Sequence, residues 1–111
     1  MKLTQGEIWF TRYDRQPAGR EQGFDRPAMI LSNDSFNRSR LGLVLVAPLT
    51  SREREYPTHI RLDPGDTGLA KPSWAMIEQV RAISPDRFDF LVGHAPEKVV
   101  AQAITVLLRM L

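Results

Sequence analysis

Two short polar islands hold the residues best suited to chemistry. The first, GREQGFDRP at 19–27, gathers Arg20, Glu21, Asp25 and Arg26 just ahead of an apolar run; the second, PLTSRERE at 48–55, follows the next apolar run. The runs RPAMILS (26–32) and GLVLVAPL (42–49) read as strands separated by the turn NDSFNRSRLG. Antiparallel pairing would set the start of one beside the end of the other, making Arg26 and Thr50 neighbours. A guanidinium is permanently charged and presents its donors in one plane, and a hydroxyl both donates and accepts. With the Glu21 carboxylate nearby, such a group can hold a phosphate and move protons around it. The same residues also read as a surface ion pair between Glu21 and Arg26 with Thr50 capping a turn, and on spacing alone this second reading is the better one, because charged loops flanking strands are commonplace.

The elements that must position these groups are mostly short strands. EIWFTRY (7–13) is aromatic and β-branched, and the stretch DRQPAGREQGFD after it carries one Pro and two Gly, the marks of a long loop of the kind that is often functional. RPAMILS has Pro27 at its entry, where a missing ladder donor is tolerated. NDSFNRSR opens with side chains that cap a helical turn. GLVLVAPL is apolar enough to be buried on both faces, and Pro48 is expected to end it. THIRL (58–62) is a fourth strand, DPGDTGLAKP is turn chemistry, and SWAMIEQVRAIS (73–84) reads as one long fifth strand carrying Glu78, Gln79 and Arg81. Ser84–Pro85 is a cap and first turn. Pro96 opens a terminal helix whose Val99, Val100, Ala103, Ile104, Leu107, Leu108 and Leu111 form one apolar stripe, with Val106 and Met110 widening it. Many short strands with polar loops imply a small, strongly curved sheet or barrel closed by that helix, and the wide apolar surface of the helix implies a homodimer.

Composition sets the outer bounds. The 111 residues suit a single domain, 1–111, and 42% apolar with 25% charged residues is ordinary for a folded chain. With no cysteine, disulfides and thiolate metal sites are excluded. The N-terminus MKLTQGEIWF lacks a long apolar leader and no run reaches the ~20 residues that span a bilayer, so a cytoplasmic, membrane-free protein is expected. The net charge is only +2, but twelve of the fifteen cations are arginines, a bias that permits bidentate phosphate contacts.

Four segments in order, EQGFDRPAMILSN, GLVLVAPLTS, PTHIRL and SWAMIEQVRAIS, resemble the MazF/PemK family of toxin endoribonucleases. GEIWF looks like that family's opening strand, Glu21-Gln22 its loop Glu-Gln, Arg26-Pro27 its Arg-Pro pair, and Pro48-Leu49-Thr50-Ser51 its Pro-apolar-Thr-Ser segment. The resemblance runs from Gly6 into the final helix. It implies a compact SH3-like barrel with a C-terminal helix, of the MazF/PemK/CcdB type. The family pattern carries glycine and a basic residue before Arg-Pro, where this chain has Phe24 and Asp25; Asp25 is expected to offset part of the Arg26 charge.

The activity implied is sequence-specific, metal-independent cleavage of single-stranded RNA by the 2′-hydroxyl, leaving a cyclic phosphate and a 5′-hydroxyl, with a cognate antitoxin as inhibitor and no cofactor. Arg26 would stabilise the phosphorane and take part in proton transfer, Thr50 would bond a non-bridging oxygen, and Glu21 would be the base or an orienting carboxylate. Gln22, Phe24, Ser51, Arg52, Glu78, Gln79 and Arg81 are the expected RNA contacts. Phe24 is expected to stack on a base, Arg52 with Arg54 to clamp the backbone, and Glu78 with Gln79 to read base edges. Trp9 and Trp74 are assigned to the core, and His59 and His94 receive no role. Asp63 and Asp66 lie in turn chemistry, so no metal is expected. The alternative is a non-enzymatic toxin resembling CcdB, which binds DNA gyrase; its Trp-Gly-Ile ending is missing from a chain that ends Arg109-Met110-Leu111.

Overall fold

A computed structural model describes residues 2–13 and 25–111. Glu21, Gln22 and Phe24, expected as site residues, therefore lie outside the described residues. In chain order the elements are β1 (Glu7–Thr11), β2 (Arg26–Ile30), the one-turn helix α1 (Asp34–Asn37), β3 (Val44–Thr50), β4 (His59–Leu62), β5 (Ser73–Met76), β6 (Arg81–Ile83), β7 (Phe88–His94) and α2 (Glu97–Arg109). The strands run β4-β5-β3-β2-β1-β7 with β6 also on β3, and every described pairing is antiparallel. This is the mainly β architecture with a closing helix that the sequence implies.

Strand alternation builds two cores, one on each face of the curved sheet. On β2, Ala28 and Ile30 face a cluster with Val44, Val46, Ile83 and Phe88, whereas Met29 faces the other with Ile8, Ala47, Leu49, Ile60 and Ile77. β3 contributes to both, which is why its sequence is almost continuously apolar. The second cluster is covered by α2 through Val99, Val100 and Ala103, with Ile104, Val106 and Leu107 leaning on it. Val106 thus helps the core instead of widening the outer face, while Leu108 and Leu111 of the expected stripe stay 63% and 91% exposed. No helix among the described residues is long and apolar enough to cross a membrane.

Two further expectations need correction. Pro48 does not end the strand: it sits within β3 opposite Ala28. It lies where β3 changes its other neighbour, from β6 beside Val44–Val46 to β5 beside Leu49–Thr50, so on that side no ladder partner asks for its missing N–H. The long fifth strand is two strands interrupted by a 3-10 turn, Ile77–Gln79. Val46 faces Arg81, whereas Leu49, three residues on, faces Ala75, six residues back. The surplus is taken up by the turn, which is pinned by the buried Ile77 and its N–H to Thr58 O at 3.0 Å. Glu78 and Gln79 are consequently on a turn, not on a strand face. Finally, β7 is a seven-residue strand that the sequence reading left unassigned.

The turn chemistry of 63–72 packs against β7. A Cβ on Gly93 would meet Thr67 O at 2.0 Å, and one on Gly68, itself at φ +78, would meet Val92 O at 2.0 Å. Two glycines thus let two backbones touch, and this contact fixes the segment that carries Leu69, Ala70 and Lys71.

Candidate active site

The pairing of β1, β2, β3, β5 and β4 lays one row of side chains across the sheet. Thr11 is opposite Arg26 on β2; two residues beyond the Ala28–Pro48 pair the same register sets Arg26 opposite Thr50; Thr50 is opposite Trp74 on β5, and Trp74 opposite Arg61 on β4. The expectation that Arg26 and Thr50 are neighbours is therefore met by the register. Both line an open cavity of about 350 Å³, together with Pro27, Ser51, Lys71 and Ser73.

Arg26 is held so that part of its guanidinium is left for a ligand. Thr11 Oγ1 donates to Arg26 O at 2.8 Å and fixes the backbone, and the Nη1 donates to Leu49 O at a long 3.4 Å. The Nε–H is buried with no partner among the described residues. Burial pushes the guanidinium below its ordinary pKa, Arg54 pushes the same way, and Tyr13 opposes both. A half-desolvated cation with an unmet donor attracts an anion more strongly than a hydrated one. Arg81 and Arg87 stack over Tyr13 at 4.8 and 5.2 Å from its ring centroid, so the flank of the site on this side is basic as well.

Asp25 does not neutralise Arg26. Its carboxylate accepts from Tyr13 N at 2.8 Å and from Arg12 Nη1 at 3.4 Å, and Arg12 is also bound to Asp89. Thr50 Oγ1 accepts from Arg52 N at 3.2 Å, which aims the hydroxyl's own hydrogen elsewhere. Ser51 lines the cavity; Arg52 is exposed beside it. Glu78 has both carboxylate oxygens engaged, accepting from Thr58 Oγ1 at 2.7 Å and facing His59 Nε2 at 2.9 Å. Burial pushes its pKa up, but these hydrogen bonds outweigh that and hold it below the usual carboxylate value. Its visible work is to anchor the 3-10 turn that presents Gln79 and leads to Arg81, and His59, buried against it, shares that work. Lys71 was missed because it sits in a stretch that reads only as a turn; what brings it to the cavity is the Gly68–Gly93 contact, which no local signal reveals. Among the described residues no three His, Asp or Glu side chains converge as metal ligands.

This arrangement can bind a phosphate between Arg26 and Thr50 with a second cation, Lys71, across the cavity. The family described as PemK-like, MazF-like toxin of type II toxin-antitoxin system matches residues 4–111. The chain belongs to this family. Among relatives of these MazF-like toxins it is 35% identical over 106 residues to the endoribonuclease MazF9 of Mycobacterium tuberculosis, covering 90% of this chain and 88% of that one. It is 29% identical over 101 residues to the endoribonuclease EndoA of Bacillus subtilis, covering 89% and 85%. Its fold is similar to the crystal structure of MazF from Deinococcus radiodurans, with a TM-score of 0.84 at 28% identity over 99% of this chain and 96% of that one. The same organism's MazE-MazF structure matches at TM-score 0.79 and 28% identity, with the same coverage.

Proposed function

We propose that the Arg26–Thr50 cavity is where this toxin cuts single-stranded RNA, without a metal ion, by attack of a ribose 2′-hydroxyl on the adjacent phosphorus. As a MazF-like toxin whose curated relatives are endoribonucleases, the chain is an endoribonuclease toxin, and the CcdB-like gyrase-binding alternative is not favoured. In the reaction the 2′ oxygen bonds to phosphorus and gives up its proton, the bond from phosphorus to the 5′ oxygen breaks, and that oxygen is protonated. The products are a 2′,3′-cyclic phosphate and a 5′-hydroxyl. Arg26 has the two properties the phosphorane needs: a fixed positive charge and a buried Nε–H with no partner among the described residues. That unmet donor is the observation that carries the reading. Thr50, with its oxygen already accepting from Arg52 N, is left to donate to a non-bridging oxygen. Glu21, five residues before Arg26 in the sequence, is assigned proton transfer, with Gln22 and Phe24 as RNA contacts. Ser51, Arg52, Lys71, Gln79 and Arg81 extend the contact surface along the strand, and Glu78 holds the turn beneath Gln79.

An antitoxin partner is supported by the MazE-MazF structure of the Deinococcus protein, and such a partner would inhibit by keeping RNA from the site. An acidic segment that folds onto Arg26, Arg54 and Arg81 would exclude RNA by charge and by volume. The exposed Leu108, Met110 and Leu111 at the end of α2 are the surface a second copy would cover, which supports reading the working toxin as a homodimer, and its RNA substrate supports a cytoplasmic place of action. The test is Arg26→Ala. Cleavage of an RNA pool should fall by roughly 100- to 1,000-fold, as for loss of one oxyanion donor, with the melting temperature nearly unchanged. A folded Arg26→Ala protein that cuts at the normal rate overturns the assignment.

A further inference from the structure

We infer that Trp74, with the Arg61 guanidinium over its ring, is a base-stacking platform that positions the nucleotide next to the scissile phosphate. The inference rests on reading the Arg26–Thr50 cavity as the cleavage site and adds a subsite to it.

The two tryptophans are in different situations. Trp9 is structurally spoken for: its Nε1–H donates to Glu7 Oε1 at 3.1 Å, its ring meets Phe88 edge-on at 5.9 Å, and it leans on a core cluster. Trp74 is partly buried like Trp9, but it belongs to neither core cluster. Its indole N–H makes no hydrogen bond among the described residues, and its ring contact there is the Arg61 guanidinium, 5.4 Å from the centroid. Arg61 is kept nearby by Asp63, which accepts from its Nε at 2.7 Å. A large ring left partly exposed on a strand, beside an arginine, has the makeup of a surface for flat, electron-rich partners.

Placement supplies the occupant. Trp74 is the direct cross-strand partner of Thr50. Directly opposed residues have Cβ atoms about 5 Å apart and share a face, so Trp74 stands next to Thr50 at the edge of the cavity that its neighbour Ser73 lines. Arg26 is one strand further, roughly 10 Å from Trp74, a span that fits a phosphate on Arg26 and Thr50 with the base of an adjoining nucleotide on the indole. Cations flank the path on both sides, Arg26 and Arg54 at one end and Arg61 at the other, which matches a polyanion threaded along the row. Stacking tolerates any base, so Trp74 contributes to affinity and position more than to the motif that is cut.

The experiment uses the full chain and a random-sequence, all-deoxy single strand, which cannot be cut through a 2′-hydroxyl. Titration should quench tryptophan fluorescence in the wild type and leave it nearly unchanged in Trp74→Phe, where Trp9 alone reports. Trp74→Ala should bind the strand on the order of tenfold more weakly, Trp74→Phe should keep most of the affinity, and on RNA the Ala loss should fall on KM more than on kcat. Equal quenching in wild type and Trp74→Phe, unchanged affinity in Trp74→Ala, or quenching by an acidic peptide but not by nucleic acid each overturns the platform. A wild type that quenches but cuts no RNA would instead refute the cleavage reading and leave the stacking result standing.

Discussion

Replacing Gly93 by alanine tests whether the wall of the cavity is held by backbone contact. The added Cβ would lie 2.0 Å from Thr67 O and 2.5 Å from its carbonyl carbon, where ordinary contact begins at 3.4 Å. Both atoms are backbone, so no side chain can swing away; the 63–72 segment or β7 must retreat by more than an ångström. Overpacking of this kind costs about 1–3 kcal/mol. In a domain of this size that lowers the melting temperature by roughly 4–12 °C. The segment that moves carries Leu69, Ala70 and Lys71, three of the residues that line the cavity, so RNA binding should weaken beyond what the stability loss explains. Thermal unfolding and RNA affinity at 20 °C, where the variant is still folded, measure the two effects separately. Gly42→Ala is the control for the site: a Cβ there meets nothing within 4 Å, so its cost is the strain of an alanine at φ +65 alone, which should lower stability without weakening RNA binding. A Gly93→Ala protein with wild-type melting temperature and wild-type affinity would refute the claim that this glycine contact shapes the site.

Two further outcomes follow from the ion pairs. Asp25→Asn should leave the cleavage rate within about twofold, because the carboxylate serves Arg12 and the Tyr13 N–H on an exposed surface where such pairs contribute little; a tenfold gain in rate would show that Asp25 does damp Arg26. Glu78 has its pKa lowered in the folded state, so its carboxylate stabilises the fold above the ordinary glutamate value and that contribution is lost as pH falls through the lower folded value. The melting-temperature gap between wild type and Glu78→Gln should therefore be steady near pH 5.5 and shrink toward pH 3, and a gap that widens on acidification contradicts the role given to Glu78.

What the sequence made legible was whatever depended on local pattern or on adjacent strands. The alternation in EIWF and RPAMI, the doubly buried run of β3 and the α2 stripe through Val99, Val100 and Ala103 are all properties of a few consecutive residues, and the turn between β2 and β3 was enough to pair Arg26 with Thr50. The resemblance to MazF/PemK toxins named the family from four short segments. What stayed hidden needed contacts far apart in the chain. Nothing in SWAMIEQVRAIS marks the 3-10 turn, because the break is imposed by β3 having two partners and by His59 and Thr58 holding Glu78 from another strand. β7 escaped because Asp89, Phe90 and Leu91 are all exposed, which blurs the alternation. Trp74 was assigned to the core on residue type; only the register showed it standing beside Thr50.

In the reaction proposed for the Arg26–Thr50 cavity, the substrate's own 2′-hydroxyl is the nucleophile. The direct measurement is gel analysis of an end-labelled RNA whose ribose 5′ to the cut is replaced by deoxyribose, beside the all-ribose strand with and without excess EDTA. The deoxy strand should still bind with a modest loss but not be cut at that position, and EDTA should leave the all-ribose rate unchanged apart from small ionic-strength effects on phosphate contacts. Cutting at the deoxy position, or a rate abolished by EDTA and restored by magnesium, would show that water is the nucleophile and contradict the roles given to Arg26, Thr50 and Glu21.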